Sequence, residues 1–460
     1  MIASNLATLK LLFLRVSIFD FIQSIYDRLE GSGIGGYFQG TTPVFMVRDV
    51  ELINKILIKD FSHFHDHGFL VDTEVNPLEG HLFNMEGQKW RALRNKLSPT
   101  FTSGKLKWML PQMSECADQL VQVLQKETHG EDVLIRDYLS RFSIDVISSC
   151  AFGLEGGALK DPDCEFRKMA KKIFRPSGIM RVKNTFRLFF PKTANWLKMK
   201  LIDPEVNDFF FNLTRQAFEH RLKTGLRRND FVDLLLQLKQ KGWVDYEPEE
   251  DEEKEEKDHV EVDPDTKLVL TDGLLAAQSF IFLIAGLENI AVSISLVLFL
   301  LSRHQDAQEK ARQEVKRVAE KHRGHFSYDA LKEMVYLECC ITEALRLYPP
   351  AVGLFHHCTK DYLLEDGQTI KKGTTVIIPS YSMQRDPQYF QDPDEFQPER
   401  FLDDHNVPSN VYLPFGAGPR VCIGEKPSVC KEYFTSYYIN YYLLITLHQL
   451  LHIVSYTGNG

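Results

Sequence analysis

The residues best suited to chemistry lie in one ten-residue stretch, Phe415-Gly416-Ala417-Gly418-Pro419-Arg420-Val421-Cys422-Ile423-Gly424. Gly416, Gly418 and Gly424 tolerate positive φ and let a flat ligand approach the backbone, Pro419 stiffens the bend, and Arg420 offers a cation to an acid group. A thiolate presented in such a loop suits a metal whose other ligands come from a macrocycle. The plainer reading of Cys422 is a small apolar group buried in a tight turn. A second pair, Trp90 and Arg94, stands at i and i+4 in Glu86 to Phe101, so both share one helix face and each can donate a hydrogen bond to the same anion. Alone, this spacing equally describes a cation–π surface pair.

Bulk properties narrow the class. With 44% apolar and 25% charged residues, the chain of 460 residues has the composition of a globular protein large enough for a sizeable core. Its net charge of -9 is local: residues 245–265 hold thirteen acids against Lys254 and Lys257, a balance of -11, so the remainder carries +2. The acidity is therefore one exposed, solvated loop and gives no reason to expect a cationic partner; nor is there a basic excess to suggest nucleic acid. The eight cysteines show no paired or zinc-like spacing, which fits a reducing compartment.

The positioning elements are mostly helical. The apolar stretch in the first twenty residues is interrupted by Lys10 and Arg15, too short to span a bilayer and not a clean signal peptide. Gly31-Ser-Gly-Ile-Gly-Gly36 matches a dinucleotide fingerprint formally, but a helical pattern precedes it and a strand pattern follows, so it is rejected. Residues 37–47 read as a hairpin with Gly40 and Pro43 as turn residues, and Asp49 caps a helix carrying Leu52, Ile53, Ile56 and Leu57. Pro99 closes the helix of Trp90, and residues 118–241 read as amphipathic helices separated by Gly153 to Gly157 and by Pro176 to Pro191. Leu274 to Leu301 is nearly all apolar and long enough to cross a membrane, yet Glu288 near its middle disfavours a lipid setting and suits a helix through the centre of a large fold. Glu343 and Arg346 form an i, i+3 pair before Pro349-Pro350, and Arg400 lies in Pro398-Glu-Arg-Phe401.

The pattern Phe-x-x-Gly-x-Arg-x-Cys-x-Gly around Cys422 resembles the haem-binding signature of the cytochromes P450, the haem-thiolate monooxygenases, with all five fixed positions filled. The other motifs agree in order. Trp90-x-x-x-Arg94 resembles the family's propionate-binding helix, and Ala285-Gly286-Leu287-Glu288-Asn289 its central-helix motif, in which small residues make room beside the haem and let the helix open locally. Asn289 stands where threonine is usual in the proton relay, and His356 where an arginine commonly meets a propionate. Glu343, Arg346 and Arg400 resemble the buried charged triad of the family, and Ala351 to Phe355 its substrate-contacting segment. Across residues 37–424 the likeness is to microsomal members of the insect detoxification type, as in Asp60-Phe-Ser-His-Phe64, Arg228-Asn-Asp-Phe231 and Thr359-Lys-Asp-Tyr362.

The resemblance implies a mainly α fold with a small β region, one domain over 1–460, and haem b bound through Cys422. It further implies oxygenation of small lipophilic substrates, with electrons from NADPH through cytochrome P450 reductase and cytochrome b5 as a second donor, and proton delivery past Glu288 and Asn289. Peripheral attachment to the cytosolic face of the endoplasmic reticulum follows from the same likeness. Both ends depart from it: the membrane anchor and proline-rich hinge are missing, and 425–460 is an atypical tail, similar to intron read-through or an altered frame. Two rival readings follow, a non-catalytic remnant of such an enzyme and a membrane protein spanning at 274–301.

Overall fold

The computed structural model describes residues 17–39, 42–128, 133–228, 230–244, 267–324, 327–402, 408 and 410–424. The acidic run 245–265 and the tail 425–460 lie outside the described residues.

The mainly helical expectation is met, with small sheets at one side. Ser17 accepts a hydrogen bond from the Asp20 N–H and so caps α1 (Ile18–Arg28). The chain then pairs β1 (Ile34–Gln39) with β2 (Thr42–Val47), antiparallel from Ile34 opposite Val47 to Gln39 opposite Thr42. Pro43 is a strand residue rather than a turn residue; it lies just before Val44, where β2 begins to pair with the last long strand, so its missing N–H costs that ladder nothing. Asp49 caps α2 (Val50–Asn54) through the Leu52 N–H at 2.7 Å, as its position suggests. The helix runs on as one wider π turn, Lys55–Lys59.

The helical body follows. α3 (Gly87–Leu97) ends where Pro99 begins a 3₁₀ turn, Ser98–Phe101. Next come α4 (Ser103–Thr128) and α5 (Ile135–Ile147), the latter running on as a π turn, Ser148–Phe152, that ends at Gly153 in the left-handed region. α6 (Glu165–Phe174), α7 (Gly178–Phe189), α8 (Pro191–Trp196), α9 (Pro204–Thr224) and α10 (Phe231–Lys241) complete this half. The stretch from Pro176 to Pro191 is therefore not a separator. Its prolines flank α7, with Ser177 as N-cap before it and Pro191 at the first turn of α8, where a missing N–H is harmless. β3 (Trp243–Val244) and β4 (Leu268–Val269) pair antiparallel across the acidic run.

α11 (Asp272–Arg303) is the spine. Among the described residues it is the one helix long and apolar enough to cross a membrane by length and composition. Its first half, Leu275 to Leu287, shares a core with α3, α9 and α10, and its second half, Ile290 to Leu301, shares another with α4, α5, α12 (Gln305–Lys321) and α14 (Val335–Leu347). Its contacts include Phe280 on Phe210 at 5.0 Å and Phe282 on Phe231 at 4.4 Å. Gln278, fully buried, accepts from the Leu82 N–H and donates to Gly80 O, polar work that lipid does not offer. Protein thus wraps this helix on several sides.

After α13 (Tyr328–Lys332) and α14 come β5 (Leu354–His357), the small pair β6 (Tyr362–Leu363) and β7 (Thr369–Ile370), β8 (Thr375–Ile378) and α15 (Ser380–Met383). The main sheet has the order β1-β2-β8-β5, with β2 and β8 parallel. Two of the sequence segments are brought together here: Thr359 N–H donates to His63 O at 2.8 Å and Tyr362 Oη to Asp60 Oδ2 at 2.6 Å. A third, around Asp230, caps α10 and joins Asp233 in binding the buried Arg221 of α9 at 2.5 and 2.8 Å.

Glu343 and Arg346 are fully buried on α14 and form a bidentate pair at 2.7 and 2.8 Å. Arg400 Nε adds a third bond to Glu343 Oε1 at 3.0 Å, while Arg346 Nη1 donates to Gln384 O and Pro393 O, both at 2.7 Å. One carboxylate and two guanidiniums thereby clamp the irregular chain of 384–400 to the helix.

Candidate functional site

The Cys422 loop is built by close backbone approach. The Cys422 N–H donates to Phe415 O at 2.9 Å, closing the loop, and the Cys422 side chain is exposed, which excludes the buried-turn reading. Phe415 packs on the α4–α5–α14 core and Ile423 on the core of α3 and α11. Gly416 and Gly418 have φ of 78° and 69°. At Gly418 a Cβ would stand 1.9 Å from Leu57 O in the π turn after α2, so the loop and that turn touch backbone to backbone. Gly418→Ala is therefore expected to cost at least roughly 1–3 kcal/mol for the left-handed conformation alone, with the clash added. A melting temperature equal to that of the unmodified chain would contradict it.

Two guanidiniums flank the loop. Arg94 Nη2 donates to Val421 O at 2.8 Å, tying α3 to the residue before the cysteine. Arg420 lies with its guanidinium carbon 3.9 Å from the centre of the buried Trp90 ring, so the tryptophan and both arginines form one group. Arg420 Nε donates to His65 O and Nη2 to Met85 O, each at 2.7 Å, while Nη1 is buried with no hydrogen-bond partner among the described residues. Burial lowers the Arg420 pKa to about 10; Asp66 opposes the shift and Arg94 adds to it. The cluster holds a cation donor in need of an acceptor, which is the chemistry a carboxylate-bearing ligand beside Cys422 would satisfy.

His356 on β5 is buried, and its Nδ1 lies 2.7 Å from Phe64 O. Burial pushes its pKa down to about 4, so near neutrality the ring is uncharged, its proton sits on Nδ1 for the carbonyl, and Nε2 is an acceptor. Its neighbour His67 meets it edge to face at 5.8 Å and has its Nδ1 2.9 Å from Phe83 O.

On α11, Ala285 and Asn289 are exposed and lie one turn apart, an open stripe at the junction of the two cores. Gly286 faces the other way; a Cβ there would meet Ile147 Cδ1 of α5 at 2.8 Å. Asn289 Nδ2 donates to Ala285 O at 3.2 Å, so its Oδ1 remains as an acceptor. The expected local opening is not present: Asp272–Arg303 is one continuous α-helix. Glu288 pairs with Arg136 at the start of α5.

Sequence reasoning missed Asp66 and Arg136. Asp66 Oδ1 accepts from the Gly87 N–H at the start of α3 and from His65 Nδ1, both at 2.7 Å, and lies 3.4 Å from Arg420 Nη2. Arg136 reaches a carboxylate 152 positions away. The one local signal was an aspartate between two histidines ahead of Gly68.

A family model for cytochrome P450 matches residues 10–427. The chain belongs to the cytochrome P450 family, which brings with it haem and monooxygenase chemistry. Among its relatives, cytochrome P450 6a2 of Drosophila melanogaster is 37% identical over 418 residues, covering 88% of this chain and 79% of that protein. Cytochrome P450 6j1 of Blattella germanica is 36% identical over 410 residues, covering 88% and 77%.

Proposed function

We propose that this chain, as one domain, hydroxylates small lipophilic substrates using haem b held by Cys422 and electrons passed from NADPH through a flavoprotein reductase, with cytochrome b5 as a second donor. The observation that carries the reading is the unsatisfied Nη1 of Arg420, two residues before an exposed thiol. When bound, haem supplies an iron centre that activates dioxygen. The Cys422 sulfur would provide an anionic ligand, Gly416 and Gly424 would keep side chains out of its way, and Gly418 lets the loop close on Leu57 O. Trp90, Arg94 and Arg420 hold the carboxylates. His356 keeps its proton for Phe64 O, and burial opposes a second, so its part is to pack that wall rather than to donate.

Ala285, exposed on α11, would leave room for substrate and dioxygen. Glu288 and Asn289 move the proton, Asn289 through its second N–H and its Oδ1, with the first N–H committed to Ala285 O. A hydroxyl would both give and take a proton at one atom, which an amide cannot do. Asn289→Thr should therefore raise product formed per NADPH consumed, by roughly two- to tenfold, below the about 10²-fold or more of a positioned acid–base group. Equal coupling in both forms would assign the relay to water organised by Glu288 alone.

Peripheral membrane contact is supported by α7 and α8, where Ile179, Val182 and Trp196 are 73%, 69% and 80% exposed beside Arg181, Lys192, Lys198 and Lys200. We place this face on the cytosolic side of the endoplasmic reticulum. A reduced carbon-monoxide difference spectrum, followed by NADPH oxidation and product formation with purified reductase, tests the whole reading. A protein that shows neither is the non-catalytic remnant.

A further inference from the structure

We propose that Asp66 is a positioning residue for the cofactor carboxylates: it fixes Arg420 so that Nη1 is the nitrogen left to pair with them. The proposal rests on the haem assignment above.

Arg420 has three nitrogens to place. Carbonyl oxygens of His65 and Met85 take Nε and Nη2, and both carbonyls belong to the chain on either side of the Asp66 carboxylate. The Asp66 side chain is 10% exposed and engages three segments at once. It accepts the Gly87 N–H, so it starts α3, whose own N-cap residue Glu86 makes no side-chain cap. It accepts from His65 and reaches Arg420 Nη2 at 3.4 Å. Through its main chain, Asp66 O accepts the His357 N–H at 2.7 Å and joins the loop to β5. α3 carries Trp90, on which Arg420 stacks, so Asp66 sets both the plate and the cation that rests on it. Around Arg420, the nearby charges are Asp66 and Glu86 against Arg94; His67 and His356 are held neutral by burial. With Nε and Nη2 held by carbonyls and Asp66 as the closest anion, the guanidinium cannot turn to offer another edge.

The bond to the start of α3 and the Arg420 duty separate by substitution, because asparagine has the shape of aspartate and its Oδ1 can still accept the Gly87 N–H, but it carries no charge. Apo-protein of the full chain is titrated with ferric protoporphyrin IX and with its dimethyl ester, which lacks the two carboxylates. The unmodified chain should prefer the free acid, and Arg420→Met sets the size of that preference. Asp66→Asn should lose about tenfold or more in affinity for the acid while binding the ester unchanged, and Asp66→Glu should recover part of the preference. Asp66→Gln set against Asp66→Glu, an uncharged and a charged side chain of one length, carries the comparison if the asparagine variant does not fold. Equal loss for acid and ester, or an intact preference in the uncharged variants, would reduce Asp66 to a structural cap and overturn the proposal. No binding of either porphyrin by the unmodified chain would instead overturn the haem assignment, and this proposal with it.

Discussion

Cys422→Ala is expected to yield a folded protein that lacks the thiolate-type reduced carbon-monoxide band and all oxygenation. The loop is closed by main-chain groups, Cys422 N–H to Phe415 O, and by contacts of Arg420 and Gly418, none of which involves the sulfur. Because the side chain is exposed, its removal leaves no cavity, so circular dichroism and the melting temperature of the apo-protein should stay as they were. A thiolate band that persists in the variant would place the ligand elsewhere; Cys430 would be the next residue to replace.

Glu343→Ala should do the reverse, destroying the fold while touching no reacting atom. The substitution leaves Arg346, fully buried, without its carboxylate and takes one bond from Arg400. Breaking a buried pair by removing one partner costs roughly 3–5 kcal/mol. Against a total stability of about 5–15 kcal/mol, that is enough to leave little folded protein at growth temperature. Soluble yield and thermal unfolding report it directly. Replacing Glu343 and Arg346 together by leucine should be less harmful than the single change, since the fully buried charge leaves with its partner and Arg400, nearer the surface, keeps its bonds to Gln391 O and Asp392 O; a single variant that melts within a few degrees of the unmodified chain would show that the clamp is dispensable.

Much of this site was legible because its chemistry is local. The glycines, proline, arginine and cysteine of 415–424 carry their geometry in their own backbone preferences, and Trp90 with Arg94 needs only helical spacing. The triad needed more: Arg400 could be joined to Glu343 only by family likeness, since 57 positions separate them. Asp66 and Arg136 were invisible for the same reason in stronger form. Each meets its guanidinium or carboxylate across 354 and 152 positions, and nothing in the residues around either one states which distant charge will be brought beside it. The misread stretch 176–191 failed differently. Two prolines looked like breaks, but both stand at helix starts or outside them, where the lost N–H was never going to be bonded. His356 shows a third limit: its proton is decided by Phe64 O, a carbonyl 292 positions earlier.

The main sheet also sets a timetable. Val44 of β2 pairs with Thr375 of β8, 331 positions later, and no described strand between them joins that sheet except β5. At a synthesis rate of roughly 5–20 residues per second, the first hairpin leaves the ribosome about 15–70 s before its partner exists. Through that interval the β2 edge is an open template for wrong pairing, either with a neighbouring nascent chain or with another copy of itself. Yield of this protein in a host cell should thus be set by how well that edge is shielded during translation, and slower growth with abundant chaperone should raise it more than any change at the haem face.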